Sequence, residues 1–148
     1  MTELPQIGSC RCGALQLEVS KPPMMTAACH CRACQKMSAS AFSLTMMVPP
    51  DGFRVTAGEP VKGGIKGPQL DHYMCPECGT WMFTRITGVE AFVNLRPVMF
   101  DVPEWSLPFI ETMTRDKLDW AQTPARHSYA EFPPEQDFPM LLEDFARR

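Results

Sequence analysis

The sequence predicts a mainly β chain of short strands stapled by metal, and three observations carry that expectation. Fifteen prolines and nine glycines among 148 residues cut the chain into short pieces, because proline removes a donor and clashes inside helices. Apolar and polar residues alternate over short runs, the period of a half-buried strand. Seven cysteines fall into three tight groups, Cys10/Cys12, Cys29/Cys31/Cys34 and Cys75/Cys78, too crowded to be ordinary core residues.

In chain order, Ala14–Val19 alternates as a strand and stops at Lys21-Pro22-Pro23. Residues Ala33–Ser38 predict a short helix that puts Cys34 near its N-terminus, where the dipole favours a thiolate. Phe42–Val48 reads as a strand ended by Pro49-Pro50-Asp51-Gly52, and Phe53–Thr56 as another before the Ala57–Pro60 turn. Gly63–Pro68 predicts a loop. Strands Leu70–Met74 and Thr80–Thr84 flank the Cys75/Cys78 pair, and residues 91–95 and 109–113 complete the strands. Pro139–Arg148 predicts a short helix packing Leu141, Leu142 and Phe145. Met46-Met47 and Thr80–Phe83 read as core, because alternate strand residues fill the interior.

The length suits one domain, residues 1–148, able to bury a core. No apolar run approaches the ~20 residues of a spanning helix. The first eight residues lack the basic and apolar regions of a secretory leader, so the expected setting is the reducing cytoplasm. Formal charge is −3 with both signs mixed along the chain, and without a basic stripe neither a nucleic-acid nor a membrane partner is expected.

An odd cysteine count in a reducing compartment argues against a disulfide framework. A Cys-x-Cys pair also sits near the ~6.8 Å upper limit of disulfide geometry, with its side chains badly aimed. Close thiol pairs do suit a zinc knuckle, and the glycine of Cys75-Pro76-Glu77-Cys78-Gly79 permits the positive φ of a tight chelating turn. Seven ligands fill one tetrahedral site and leave a second one short. Spacing alone leaves the partition open; the simplest arrangement sets Cys10 and Cys12 against Cys75 and Cys78. Cys29, Cys31 and Cys34 then wrap a second ion with an open corner. Three thiolates weaken a metal's pull on water, so such a site suits a substrate thiol better than hydroxide. The competing reading is a second structural zinc.

The segments Gly8-Ser9-Cys10-Arg11-Cys12-Gly13, Cys29-His30-Cys31-Arg32-Ala33-Cys34 and Cys75-Pro76-Glu77-Cys78-Gly79-Thr80 resemble the glutathione-dependent formaldehyde-activating enzyme family, or S-(hydroxymethyl)glutathione synthases, which includes the centromere protein V-type domain. The similarity runs from about Gly8 to Trp120 and leaves residues 121–148 as a tail. It implies a tent-like all-β fold of short antiparallel sheets shared with methionine-R-sulfoxide reductases, and two zincs per chain. By resemblance, Cys10, Cys12, Cys75 and Cys78 hold a structural zinc, while Cys29, Cys31 and Cys34 hold a catalytic one. The implied activity is a carbon–sulfur lyase or synthase that adds glutathione or a related thiol reversibly to formaldehyde or another small aldehyde. Where members commonly carry a histidine three residues after a proline, Pro108 is followed by Glu111, and a glycine usual near Asn94-Leu95-Arg96 is missing.

Glu111 and His30 are the candidate proton carriers. Arg32 and Lys36 are candidates for offsetting the site's charge or gripping a substrate carboxylate, and Trp120 for lining a pocket. His72 and His127 carry no motif. The alternative from another class is a non-catalytic zinc module that binds protein or nucleic acid. Sulfoxide reduction would need an eighth cysteine outside the metal sites.

Overall fold

The computed structural model describes residues 2–63 and 69–148. Among these, the strands are β1 (Gln6–Ser9), β2 (Gln16–Val19), β3 (Met25–Cys29), β4 (Ser43–Val48), β5 (Phe53–Ala57) and β6 (Val61–Gly63), followed by β7 (Leu70–Met74), β8 (Trp81–Ile86), β9 (Val93–Leu95), β10 (Ile110–Thr112) and β11 (His127–Ser128). Two α-helices join them, α1 (Arg32–Ser38) and α2 (Phe138–Ala146). The loop expected at Gly63–Pro68 lies, from Gly64 onward, outside the described residues.

The strands form a three-stranded sheet, β1-β2-β5, and an eight-stranded sheet ordered β11-β10-β3-β4-β9-β8-β7-β6. Pairing is antiparallel except at β10, which runs parallel to both β3 and β11. This inserts a late strand beside an early one, since parallel neighbours need a long connection.

Strand alternation assigns each face of the large sheet a different cover. Leu17 and Val19 of the small sheet share one buried cluster with Met46, Val48, Val93 and Leu95. On the other side, Met25, Met47 and Ile110 cluster with Leu141 and Phe145 of α2, which lie four apart on one helix face. Each such fully buried side chain contributes roughly 1.5–3 kcal/mol. Pro139 sits in the first turn of α2, where its missing N–H leaves no bond unmade.

Four strands lie outside the sequence expectations: β1, β3, β6 and β11. In β3 the run Met-Thr-Ala-Ala-Cys is buried or half-buried on both faces, so no exposed polar residue marks the period of two. β11 is two residues long, below what any periodicity detects.

Candidate metal centres

The first cluster joins the two sheets. Cys10 and Cys12 follow β1 in a tight turn closed by Gly13 N–H to Cys10 C=O (3.1 Å) and Cys10 N–H to Leu15 C=O (3.0 Å). Cys75 and Cys78 occupy the β7–β8 connection, closed by Cys75 N–H to Thr80 C=O and Gly79 N–H to Cys75 C=O, both 2.9 Å. Gly79 has φ +74°, as a chelating turn requires. The Arg11 N–H donates to Thr80 Oγ1 (3.2 Å) and ties the two turns together.

Cys10 and Cys12 Sγ are 3.6 Å apart, and Cys12 and Cys75 Sγ 3.8 Å. A disulfide needs ~2.05 Å, whereas four sulfurs at ~2.3 Å around one ion stand about 3.8 Å apart at the edges of a tetrahedron. The four ligand atoms lie within 4.8 Å of one another and can hold one metal ion.

The second cluster is local. Cys29 ends β3 and Cys31 caps α1, its Sγ accepting from Cys34 N–H at 3.3 Å. The three sulfurs also lie within 4.8 Å of one another, so this cluster too can hold an ion. Among the described residues no fourth histidine, cysteine or carboxylate completes the trio.

In both clusters the thiols compete for ionisation. A hydrogen bond from Cys34, against the cost of burial, lowers Cys29 to about 5. Cys34 is pushed up, first by that bond and then by burial and the Cys29 charge. Thr80 lowers Cys78 to about 5. Cys12 is favoured by the Ala14 backbone, yet Cys10 and its other sulfur neighbours raise it to about 12. Like charges this close ionise together only around a cation, so both donor sets fit a metal.

Glu111 and His30, the candidate proton carriers, form a buried pair. Glu111 stands opposite Ala28, whereas Thr112 stands opposite Cys29, so Glu111 points to the face away from Cys29 and Thr112. Its carboxylate accepts from Ser128 (2.7 Å), Thr123 (2.8 Å), Lys117 (3.3 Å) and His30 Nε2–H (2.9 Å). Burial alone would raise its pKa, but these donors outweigh it and hold Glu111 at about 2. Held that acidic, with its lone pairs engaged, the carboxylate stays ionised at neutral pH. His30 is fully buried against it, its ring edge-on to Phe42. The pair anchors the loop that carries the trio.

Arg32, Lys36, Leu118 and Trp120 line a cleft of about 550 Å³ along α1. Trp120 is exposed there rather than packed. Neither this cleft nor a larger groove of about 940 Å³, walled by Met24, Trp105, Phe109 and Phe145, is lined by any of the cysteines. His127 donates or accepts at Asp144 of α2 (2.7 Å), a tie between β11 and that helix.

Sequence reasoning passed over a buried polar group on the face that carries Cys29. Ser43 stands opposite Cys29, and Ser43 and Thr45 share one face of β4. Arg96, which follows β9, donates from Nη1 to Thr45 Oγ1 (2.8 Å) and Leu44 C=O (3.1 Å). Its Nη2 donates to Thr84 Oγ1 (3.2 Å). Thr84 Oγ1 also accepts from Trp81 Nε1 (3.1 Å) and so turns its own proton to His72 Nδ1 (2.9 Å). The one available signal was a lone arginine set between the short strand Val93–Leu95 and Pro97.

Comparison with known proteins bears on these clusters. Residues 5–116 match the family model described as glutathione-dependent formaldehyde-activating enzyme. Relatives named "Putative glutathione-dependent formaldehyde-activating enzyme" include one from Podospora anserina, 27% identical over 123 residues, covering 79% of this chain and 58% of the relative. Another, from Penicillium rubens, is 28% identical over 116 residues, covering 76% and 54%. The chain thus spans little more than half the length of these relatives. A crystal structure of a Rhodobacter sphaeroides protein superposes with a TM-score of 0.54 at 17% identity, over 65% of this chain and 88% of that one, and shares the fold. A match extending over most of the chain shows that it belongs to the glutathione-dependent formaldehyde-activating enzyme family.

Proposed function

We propose that the chain, as one zinc-binding domain over residues 1–148, is a cytoplasmic carbon–sulfur lyase or synthase that adds a thiol reversibly to formaldehyde or another small aldehyde. Cys10, Cys12, Cys75 and Cys78 would hold a structural zinc, and Cys29, Cys31 and Cys34 a working one. The observation that carries the reading is the unequal ligand count, four sulfurs in one cluster and three in the other. When bound by three thiolates, zinc supplies a soft Lewis-acid position that favours sulfur as its fourth partner.

The overall conversion is RSH + CH2O → RSCH2OH. A sulfur–carbon bond forms, the carbonyl π bond breaks, and the thiol proton ends on the new hydroxyl. The chain's part is orientation. Thr112 and Ser43 stand opposite Cys29 on its two neighbouring strands, and Cys31 Sγ accepts from Cys34 N–H at the α1 N-terminus. Arg32 and Lys36 provide cations in the cleft for carboxylates of a thiol such as glutathione. The test is exchange NMR of formaldehyde with glutathione and a panel of other thiols, run with the metal-loaded protein. Accelerated exchange with one thiol supports the reading and names the substrate. No acceleration with any of them, at two metals per chain, removes it.

A further inference from the structure

Arg96 is 8% exposed, and among the described residues no carboxylate lies within 4.0 Å of its guanidinium. Its Nε–H is buried without a partner. Its carbon lies 3.7 Å from the centre of the Trp81 ring, which covers one side. A cation taken out of water costs several kcal/mol unless something negative answers it. Burial does push Arg96 down, to about 10, and the charges that act against this are those of Cys34 and Cys29. At neutral pH it keeps its charge.

The path from Arg96 to the cysteine trio is short. Ser43 stands opposite Cys29 on the neighbouring strand. The next two residues of β4, Leu44 and Thr45, hold the Arg96 Nη1. Two strand residues span roughly 7 Å, a distance at which a buried charge still acts strongly on its neighbour. Three thiolates around a divalent ion leave a net charge of minus one, and a fourth thiolate makes it minus two.

We infer that Arg96 is the built-in countercharge of the Cys29–Cys31–Cys34 centre, a positioning residue that makes an anionic sulfur, rather than a neutral ligand, the favoured fourth partner. The inference rests on the proposed reading of that centre as a metal site taking a thiol. Arg96 touches neither ion nor substrate; its charge is fixed by Thr45, Leu44 and Thr84 and shielded from water by Trp81. Charge of one sign buried on one side of the centre gives a preference that ligand count alone does not.

The test uses cobalt-substituted full-length protein, whose visible spectrum reports the fourth partner, titrated at one pH with 2-mercaptoethanol and separately with imidazole. 2-Mercaptoethanol carries no carboxylate, so Arg32 and Lys36 do not enter. Arg96→Met removes the charge while keeping the stem, and Arg96→Lys keeps the charge but loses the fork. Thiol binding should weaken about tenfold in Arg96→Met, the order expected for one charge at this range. Imidazole binding should stay within about twofold, and Arg96→Lys should bind thiol within about threefold of wild type, differences below ~0.7 kcal/mol. Unchanged thiol binding in Arg96→Met, or equal weakening for both ligands, would overturn the inference. If Arg96→Met does not fold, Arg96→Lys decides: near wild-type thiol binding supports a charge role, and a tenfold loss overturns it. A wild-type spectrum that ignores thiol at two metals per chain defeats the reading of the centre itself, and this inference with it.

Discussion

The two cysteine clusters use similar donors but stand in opposite relations to the fold. The quartet draws on segments 63 residues apart, Cys12 and Cys75, and fastens the turn after β1 of the small sheet to the β7–β8 turn of the large one. The trio lies within six residues between β3 and α1 and closes no long loop. Its position is set by others: Thr112 and Ser43, opposite Cys29 on neighbouring strands, and the Glu111–His30 pair behind it. One cluster holds the architecture together, whereas the other is held by it. A long-range site is well placed to serve stability; a local site on a finished platform can leave a coordination position to chemistry.

The sharpest way to break this comparison is to remove one sulfur from each cluster. Cys75→Ser should lose metal and unfold the domain at ordinary temperature, because binding at such a site is folding free energy. The expected loss exceeds about 5 kcal/mol, comparable to the whole stability of a small domain. Cys31→Ser should lose one metal of two, abolish the proposed thiol–aldehyde exchange, and leave the far-UV circular dichroism unchanged. Metal analysis beside thermal melts of both variants decides. Equal destabilisation by the two would show that the trio, too, holds the architecture.

The next largest effect concerns what supports the trio. Glu111→Gln keeps the shape but strips the charge that Lys117 and three hydrogen-bond donors surround, at a cost of roughly 3 kcal/mol. The pH dependence has a defined sign. The folded-state pKa of Glu111, at about 2, is depressed below the ordinary value of 4.5. Its stabilisation is therefore full above the unfolded pKa and falls away as pH drops from about 5 towards 2. Denaturant midpoints of wild type and Glu111→Gln should lie furthest apart near pH 7 and converge below about pH 4.5. Taking the difference between variants cancels whatever acid lability the cysteine clusters give to both. A constant gap down to pH 3 would contradict the assignment.

Much of this was legible in the sequence for a physical reason. Cysteine spacing encodes local chelation directly, so both turns and the trio could be read from residue order. Strands with a solvated face, such as Gln16–Val19 and Phe53–Ala57, announced themselves by alternation. What escaped depends on which strands become neighbours. β3 is buried or half-buried on both faces and shows no period, and β10 pairs with it only after the chain has passed through seven other elements. The side of the sheet that Glu111 occupies follows from that register, so its position after Pro108 suggested a proton carrier when the fold made it an anchor. Arg96 was hidden in the same way, since its relation to Cys29 exists only across β4.

The smallest expected effects separate the two chelating segments at the level of the backbone. Gly79 in the quartet has φ +74° with nothing within 4 Å of an added Cβ, so Gly79→Ala meets only the intrinsic penalty of a left-handed backbone. That costs about 1 kcal/mol. Ala39 ends α1 just after the trio with φ 49° and ψ 42°, its N–H bonding to Gln35 and Lys36 carbonyls. This is the left-handed helix cap that glycine favours. Ala39→Gly should therefore stabilise, by about 0.5 kcal/mol once glycine's extra unfolded-state freedom is set against the relieved strain. Two substitutions of opposite direction should thus move the urea midpoint in opposite senses, with metal content unchanged in both. If Gly79→Ala also lowers metal content, the quartet's turn is limited by sulfur placement as well as by backbone strain, and the long-range cluster is the less tolerant of the two in its local geometry.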